Sequence, residues 1–306
     1  MTDFSAFKGR LHSLLPELDV RENEPMSRHT SFRIGGPAAL VALPKTEEEA
    51  TLLLQACREA DCPVVLMGNG TNLLAPDEGL RALVVKTAEH WNGIRAAGDC
   101  RMEVQCGALL SRMAAFALEQ GWTGLEFAHG IPGTAGGAVT MNAGAYGGEM
   151  VQVVRSVRHL NPDGTIEEWP VEKLDLGYRH SVYSDGSRMV LSAVLQLQHG
   201  NREEIRAKMD DFRQRRSAKQ PLEFPSAGSM FKRPPGHFAG GLIDECGLRG
   251  FTVGGAQVSE KHAGFVVNRG GATCRDVLEL VRRVQEIVWE KKGVHLEMEV
   301  RVLRAD

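Results

Sequence analysis

No apolar run in this sequence approaches the roughly 18 residues of a membrane span, so no membrane partner is expected. The opening stretch "MTDFSAFKGRLHSLLPELDV" lacks a basic segment followed by an apolar one, which excludes an export signal of the usual form and makes the cytoplasm the expected location. The six cysteines (Cys57, Cys62, Cys100, Cys106, Cys246 and Cys274) include no CxxC, and without an export signal they are expected as reduced core thiols. A net charge of −3 gives no excess of basic residues and therefore no expected nucleic-acid partner. The ten histidines show no HExxH or other tight ligand spacing, so no metal is expected. Neither GxGxxG within a βαβ unit nor GxxxxGK[ST] occurs, which removes the Rossmann and P-loop readings.

What is present is a mixture of strand and helix signals. Thr46 and Glu49 form a capping-box pair opening a helix over residues 46–61. The runs "PVVLMG", "ALVVK" and "MEVQCG" predict strands, and "ALLSRMAAFALEQG" predicts a helix closed by Gly121. The turn "NPDG", Asn161 to Gly164, predicts a hairpin between "VVRSVRHL" and "TIEEW", and "RMVLSAVLQLQ" predicts a further strand. The charged helix "REEIRAKMDDFRQRRSAKQ" suggests a domain boundary near residue 200. Beyond it come a short helix in "HFAGGLIDECGL", strands in "GFTVGG" and "HAGFVVN", and a long helix from Thr273 to Gly293. "VHLEMEVRVL" alternates strictly, which predicts a final strand with Glu297, Glu299 and Arg301 on its polar face. Elements mixed without a regular βαβ repeat predict an α+β fold in two domains, 1–200 and 201–306.

The stretch "AHGIPGTAGGAVTMNAGAYGG" (128–148) contains seven glycines and gives up packing surface and chain entropy. Its first part, Gly130 to Ala138, and the earlier loop "GNGTN", Gly68 to Asn72, both suit backbone amides turned toward an anion. Each loop alone is equally well a tight turn, whereas two together favour a large phosphate-bearing ligand such as a dinucleotide. Arg179 in "LGYRHS" suits bidentate binding of a carboxylate or phosphate, or a plain surface position. Ser229 in "PSAGSMFKRP" lies in a small-residue turn near Lys232 and Arg233, with no GxSxG elbow around it. It suits either local backbone bonding or proton donation. Periodicity does not choose between Glu297 and Glu299.

In order along the chain, "TSFRIGGPA", "MGNGTNLL", "GIPGTAGGAVTMNAGAYGGE", "YRHS", "AGSMFKRP", "AGGLIDECGLRGFTVGGAQVSEKHAGFVVN" and "LEMEVRV" resemble the UDP-N-acetylenolpyruvoylglucosamine reductase family. The interval between "YRHS" and the last segment has no room for the extra tyrosine-bearing loop of the longer subclass, so the chain resembles the shorter, second type. The resemblance implies a two-subdomain FAD-binding fold of the vanillyl-alcohol-oxidase-like (PCMH) type over 1–200, followed by a substrate-binding domain over 201–306. It implies bound FAD, with NADPH as co-substrate and a UDP-sugar as substrate, in peptidoglycan precursor synthesis. Oligomeric state is not implied, and a monomer is consistent with the sequence.

By the same resemblance, FAD is expected at Arg33, at Gly68, Asn69, Gly70, Thr71, Asn72 and Leu73, at Gly130, Ile131, Pro132, Gly133, Thr134, Ala135, Gly137 and Ala138, and at Asn142, Ala143 and Gly144. Arg179 and Glu299 are expected to stabilise an enol-like intermediate, and Ser229 to supply the proton. Tyr178, Lys219 and Arg233 are expected to contact substrate, with Arg233 departing from the asparagine of the longer subclass. Two other classes compete: an oxygen-using oxidase of the same fold, and a nucleotide-binding module without catalysis. "AGSMFK" and "LEMEV" favour the reductase over the oxidase. NADPH followed by the enolpyruvyl nucleotide separates enzyme from module through flavin absorbance.

Overall fold

The computed structural model describes residues 2–304. Its contacts group into two compact units that interleave along the chain. The first takes the stretch ending at Glu22, Leu40–Asn69 and Ala82–Arg215; the second takes Asn23–Ala39, Gly70–Arg81 and Arg216 onward. This grouping differs from a single cut near residue 200, and the reason is tertiary. Leu73–Leu74 pair in parallel with Arg301–Val302, which ties residues 70–81 to the chain's end. Ser31 Oγ donates to the Ser226 carbonyl at 2.7 Å, which ties residues 23–39 to the same region. The charged helix after residue 200 buries Ile205 and Met209 against Ala114, and so stays with the first unit as far as Arg215.

The first unit contains helices α1 (Phe4–Leu14), α2 (Glu47–Glu59), α3 (Leu110–Gln120), α4 (Ala135–Thr140) and most of α5 (Arg202–Lys219). Thr46 caps α2 by accepting from the Glu49 amide at 3.1 Å, while the Glu49 carboxylate accepts from the Lys45 amide at 2.7 Å. The expected capping box is thus shifted by one residue on its return arm. α3 stops at Gly121, whose φ of 71° relieves the last turn without a Cβ penalty. Val64–Met67 runs parallel to Leu80–Lys86 in one sheet. A second sheet of five antiparallel strands has the order Ile166–Pro170, Val154–Leu160, Met189–Gln196, Arg101–Gln105, Ile94–Ala96. The "NPDG" turn closes its outer hairpin, with Gly164 at φ 89°. α4 lies against its central strand, Met189–Gln196, and one hydrophobic core joins both sheets with α1 to α3.

The second unit contains α6 (Ala239–Glu245) and α7 (Cys274–Lys292) over a four-stranded antiparallel sheet. Its strand order is Ser226–Ser229, Phe265–Asn268, Ala256–Val258, Thr252–Val253. Thr273 and Asp276 form a complete capping box on α7, and Gly293 at φ 66° ends it. Val277, Leu280, Val281, Val284 and Val288 make the helix's buried stripe, at the spacing of one helical face.

The last segment departs from the continuous strand its alternation predicts. Regular pairing is confined to Arg301–Val302, with one isolated bridge between Phe231 and Met298. The cause is a change of partner: the Glu299 amide donates to the Met230 carbonyl at 2.9 Å, and the Arg301 amide donates to the Asn72 carbonyl at 3.0 Å. No single ladder continues through that switch. Burial still alternates, with Leu296 and Val300 inside.

Candidate active site

In the first unit the two glycine loops meet. A Cβ built at Gly68 falls 2.2 Å from Thr134 Oγ1, so only glycine fits there. Asn69 Nδ2 donates to the Pro132 carbonyl at 2.8 Å, a second bond across the same gap. Gly68 and Asn69 are delivered by the end of Val64–Met67. The partner loop is delivered by the start of α4, whose N-cap Thr134 is buried and accepts from the Gly137 amide at 3.4 Å.

The open helix N-terminus expected from the sequence is narrower than its glycines suggest. The Ala135 amide donates to the Ala108 carbonyl and the Gly136 amide to the Cys106 carbonyl, both at 2.8 Å. Two early helical amides are therefore committed to the fold, and the anion-facing capacity narrows to the turn before them. Gly144 is needed for the chain itself: a Cβ there falls 2.7 Å from the Gly148 carbonyl oxygen. The bare stretch thus serves two ends, a turn that a ligand can approach and close packing against its own neighbours. Next to the turn in sequence, His129 Nδ1 is buried with no hydrogen-bond partner among the described residues. A turn kept bare by glycine at the meeting of two loops fits the close approach of a ligand to the backbone.

Asn142 follows the end of α4 and is 2 % exposed. Its Nδ2 donates to the Gly177 carbonyl and to Glu149, each at 3.1 Å, while its Oδ1 accepts from the Val151 amide at 2.9 Å. Gly177 and His180 exchange backbone hydrogen bonds of 3.1 and 3.2 Å, closing the four-residue turn that contains Tyr178 and Arg179. Arg179 is its third residue, at φ 56°, where such turns favour glycine. Its guanidinium carbon stands 5.2 Å from the centre of the Tyr178 ring. Ser181 Oγ pins the following residue by donating to the Thr140 carbonyl at 2.8 Å. A single short helix therefore carries the glycine turn at one end and anchors the Arg179 turn at the other.

In the second unit, Arg33 also adopts a positive φ, 55°. Its loop is tied down by the Ser31 amide donating to the Gly70 carbonyl at 3.1 Å and by Asn268 Nδ2 donating to the Phe32 carbonyl at 3.2 Å. Ser229 ends the strand Ser226–Ser229 after a register shift in which Gly228 adopts φ 82°. Glu299 is half-buried, and its backbone is held at both groups, by Met230 at the amide and by Asn72 Nδ2 at the carbonyl, 3.2 Å away. Glu297 is instead exposed and paired with Lys232. The geometry so separates two glutamates that periodicity left equivalent: Glu299 is backbone-paired to the residue after Ser229. Arg233 stacks on Phe238, 3.9 Å from its ring centre, and Lys219 is exposed at the last turn of α5. Gly70, Thr71, Asn72 and Leu73 lie with this unit, whereas Gly68 and Asn69 lie with the first.

Sequence reasoning missed Glu149, Asn268 and Ser31 as residues that hold these loops. The signal for Asn268 was its place at the end of an apolar strand, before two glycines whose turn its Oδ1 caps at Gly270. All six cysteines are free and buried. Burial pushes the Cys106 thiol up to about 12, so it carries no thiolate at neutral pH. Among the described residues, one group has metal-ligand proximity, Asp99, Cys100 and His199, outside every segment described above.

Two family models match the chain. An FAD-binding domain covers residues 38–169, and the UDP-N-acetylenolpyruvoylglucosamine reductase C-terminal domain covers residues 220–303. A UDP-N-acetylenolpyruvoylglucosamine reductase of Clostridioides difficile is 49 % identical over 97 % of both chains. The chain belongs to the UDP-N-acetylenolpyruvoylglucosamine reductase family. A reductase of Alkaliphilus metalliredigens is 50 % identical over 95 % of both chains. The crystal structure of the Thermus caldophilus reductase aligns with a TM-score of 0.79 at 36 % identity, covering 94 % of this chain and 98 % of that one. An alkyldihydroxyacetonephosphate synthase shares the fold of the FAD-binding part, with a TM-score of 0.50 and 18 % identity over 64 % of this chain. Of the segments described above, the glycine loops and Asn142 fall inside the FAD-binding match. Ser229, Arg233 and Glu299 fall inside the C-terminal match, while Arg33, Tyr178, Arg179 and Lys219 lie outside both. No helix among the described residues is long and apolar enough to cross a membrane.

Proposed function

We propose that this chain reduces the enolpyruvyl ether of UDP-N-acetylglucosamine to UDP-N-acetylmuramate with NADPH, in peptidoglycan precursor synthesis in the cytoplasm. The observation that carries the reading is near-half identity to a curated reductase across 97 % of both chains. Most of residues 1–200 are assigned to the cofactor and most of 201–306 to the substrate, with Tyr178 and Arg179 of the earlier stretch serving the substrate. The turn Gly130–Thr134, Gly68 to Leu73 and Arg33 hold FAD, with Ala135 to Ala138, Ala143 and Gly144 building its bed. When bound, FAD supplies the hydride that the vinyl methylene carbon receives.

The chain's own residues manage the charge and the proton. Hydride addition places an electron pair on the carbon bearing the ether oxygen and the carboxylate. Arg179 offsets that charge at the carboxylate, an effect that is large where water is excluded. Glu299, in its acid form, donates a hydrogen bond to the same developing enolate. Ser229 Oγ delivers the proton to that carbon, so that one hydride and one proton complete the lactyl ether. Tyr178, Lys219 and Arg233 orient the nucleotide part of the substrate.

The test is an anaerobic half-reaction pair. NADPH bleaches the flavin, and the enolpyruvyl nucleotide then restores its absorbance without oxygen. Flavin that stays reduced after the nucleotide is added, yet recovers in air, overturns the reading in favour of an oxidase.

A further inference from the structure

We infer that Asn142 is a positioning residue for Arg179, and not a contact for the cofactor. The inference rests on the proposed role of Arg179 at the substrate carboxylate. The side-chain amide of Asn142 is fully engaged inside the protein. Its NH2 faces two acceptors, the Gly177 carbonyl and Glu149, and its oxygen faces one donor, the Val151 amide. Reversing the amide sets donor against donor and acceptor against acceptor, so the three partners fix its orientation.

What this amide holds is an unfavourable conformation that carries a charged residue. Arg179 lies in the left-handed region at φ 56°, and a non-glycine residue persists there only where its surroundings over-determine it. The Gly177 carbonyl accepts from both the His180 amide and Asn142 Nδ2, so the clamp acts on the group that closes the turn. Ser181 adds a second pin to Thr140, two residues before Asn142. Asn142 is itself at φ 39°, a conformation that asparagine tolerates better than most residues. The pairing also explains the residue type. Aspartate has the same shape but sets an oxygen against the Gly177 carbonyl and a charge against Glu149. Serine keeps an acceptor for Val151 but is too short to reach Gly177.

The experiment uses the FAD-loaded enzyme with Asn142→Asp, Asn142→Ser and Arg179→Ala. Measured for each are FAD content, the rate of flavin reduction by NADPH, the rate of anaerobic reoxidation by the enolpyruvyl nucleotide, and amide exchange across residues 177–182. Both Asn142 variants are expected to keep FAD content and NADPH reduction within about twofold and to lose roughly 10²-fold in reoxidation, the cost of a displaced catalytic group. Exchange at the His180 amide rises in the same variants. Asn142→Ser gives the result if the Asp variant does not fold. Reoxidation at the normal rate in both Asn142 variants, with Arg179→Ala impaired, overturns the inference alone. Equal losses in both half-reactions, or loss of FAD, overturn it in favour of a cofactor contact. Normal reoxidation in Arg179→Ala overturns the reading of Arg179, and the inference with it.

Discussion

Gly68→Ala tests the meeting of the two glycine loops with a single methyl group. Gly68 is outside the left-handed region, so alanine is tolerated by the backbone and the cost is steric. The new Cβ would lie 2.2 Å from Thr134 Oγ1, 3.4 Å from its Cβ and 3.5 Å from its Cγ2. The first distance is more than about 1 Å inside normal contact, and the other two are tolerable. Overpacking of this kind costs about 1–3 kcal/mol. Thr134→Ala alone removes the cap of α4 and costs about 0.5 kcal/mol, at the low end because its bond to Gly137 is long at 3.4 Å. In the double variant the offending oxygen is gone, so the two losses should fall short of their sum by about 1 kcal/mol or more. Urea unfolding of the flavin-free protein reads all three variants, and retained FAD after dialysis reads the cradle separately. Gly68→Ala should lose FAD more readily than the double variant. Losses that add within about 0.5 kcal/mol, the agreement expected of independent sites, would refute the claim that these loops are in contact.

Two further outcomes follow from named groups. Ser229→Ala should leave flavin reduction by NADPH intact and slow substrate reduction by about 10²–10⁴-fold, the range for a lost proton donor; normal rates in both half-reactions remove Ser229 from the proton's path. His159 and His262 are each held below the ordinary histidine range, chiefly by burial. His262 Nδ1 also accepts from the Gly264 amide at 3.1 Å, which requires the neutral ring. Both bind fewer protons folded than unfolded, so their stability is complete above about pH 6.5 and is lost as pH falls toward their lowered values. Urea midpoints measured from pH 8 down to 5.5 should decline, and His262→Gln should flatten part of that decline. An unchanged slope in that variant removes His262 from the account.

The elements were largely legible because their signals are local. Thr46, Gly121, Thr273 and Gly293 mark helix ends through one or two residues each, and each stands where the structure caps or stops a helix. The last segment misled for the same reason. Alternation reports which faces are buried and not which partner is paired, so the switch from Met230 to Asn72 left no trace in it. The grouping of residues 23–39 and 70–81 with the C-terminal third depends on contacts across more than a hundred residues, such as Ser31 to Ser226. The glycine loops were visible as a need for small residues. Whether a given glycine yields to a ligand or to the chain itself was not, because Gly68 and Gly144 read alike and only neighbours in space tell them apart. Asn142 was found through its motif, yet its three side-chain partners lie 7, 9 and 35 residues away.

The short helix α4 has a consequence as a spacer. Six residues rise about 9 Å, and each one turns the chain by about 100°. Thr134 at its head meets Gly68, and Thr140 and Asn142 at its tail hold the Arg179 turn, so both attachments are counted along one rigid rod. One residue added or removed would lengthen the rod only slightly but would swing the tail a quarter-turn away from Gly177. The length of this stretch is therefore fixed as firmly as its composition, because both of its ends are attached to other segments.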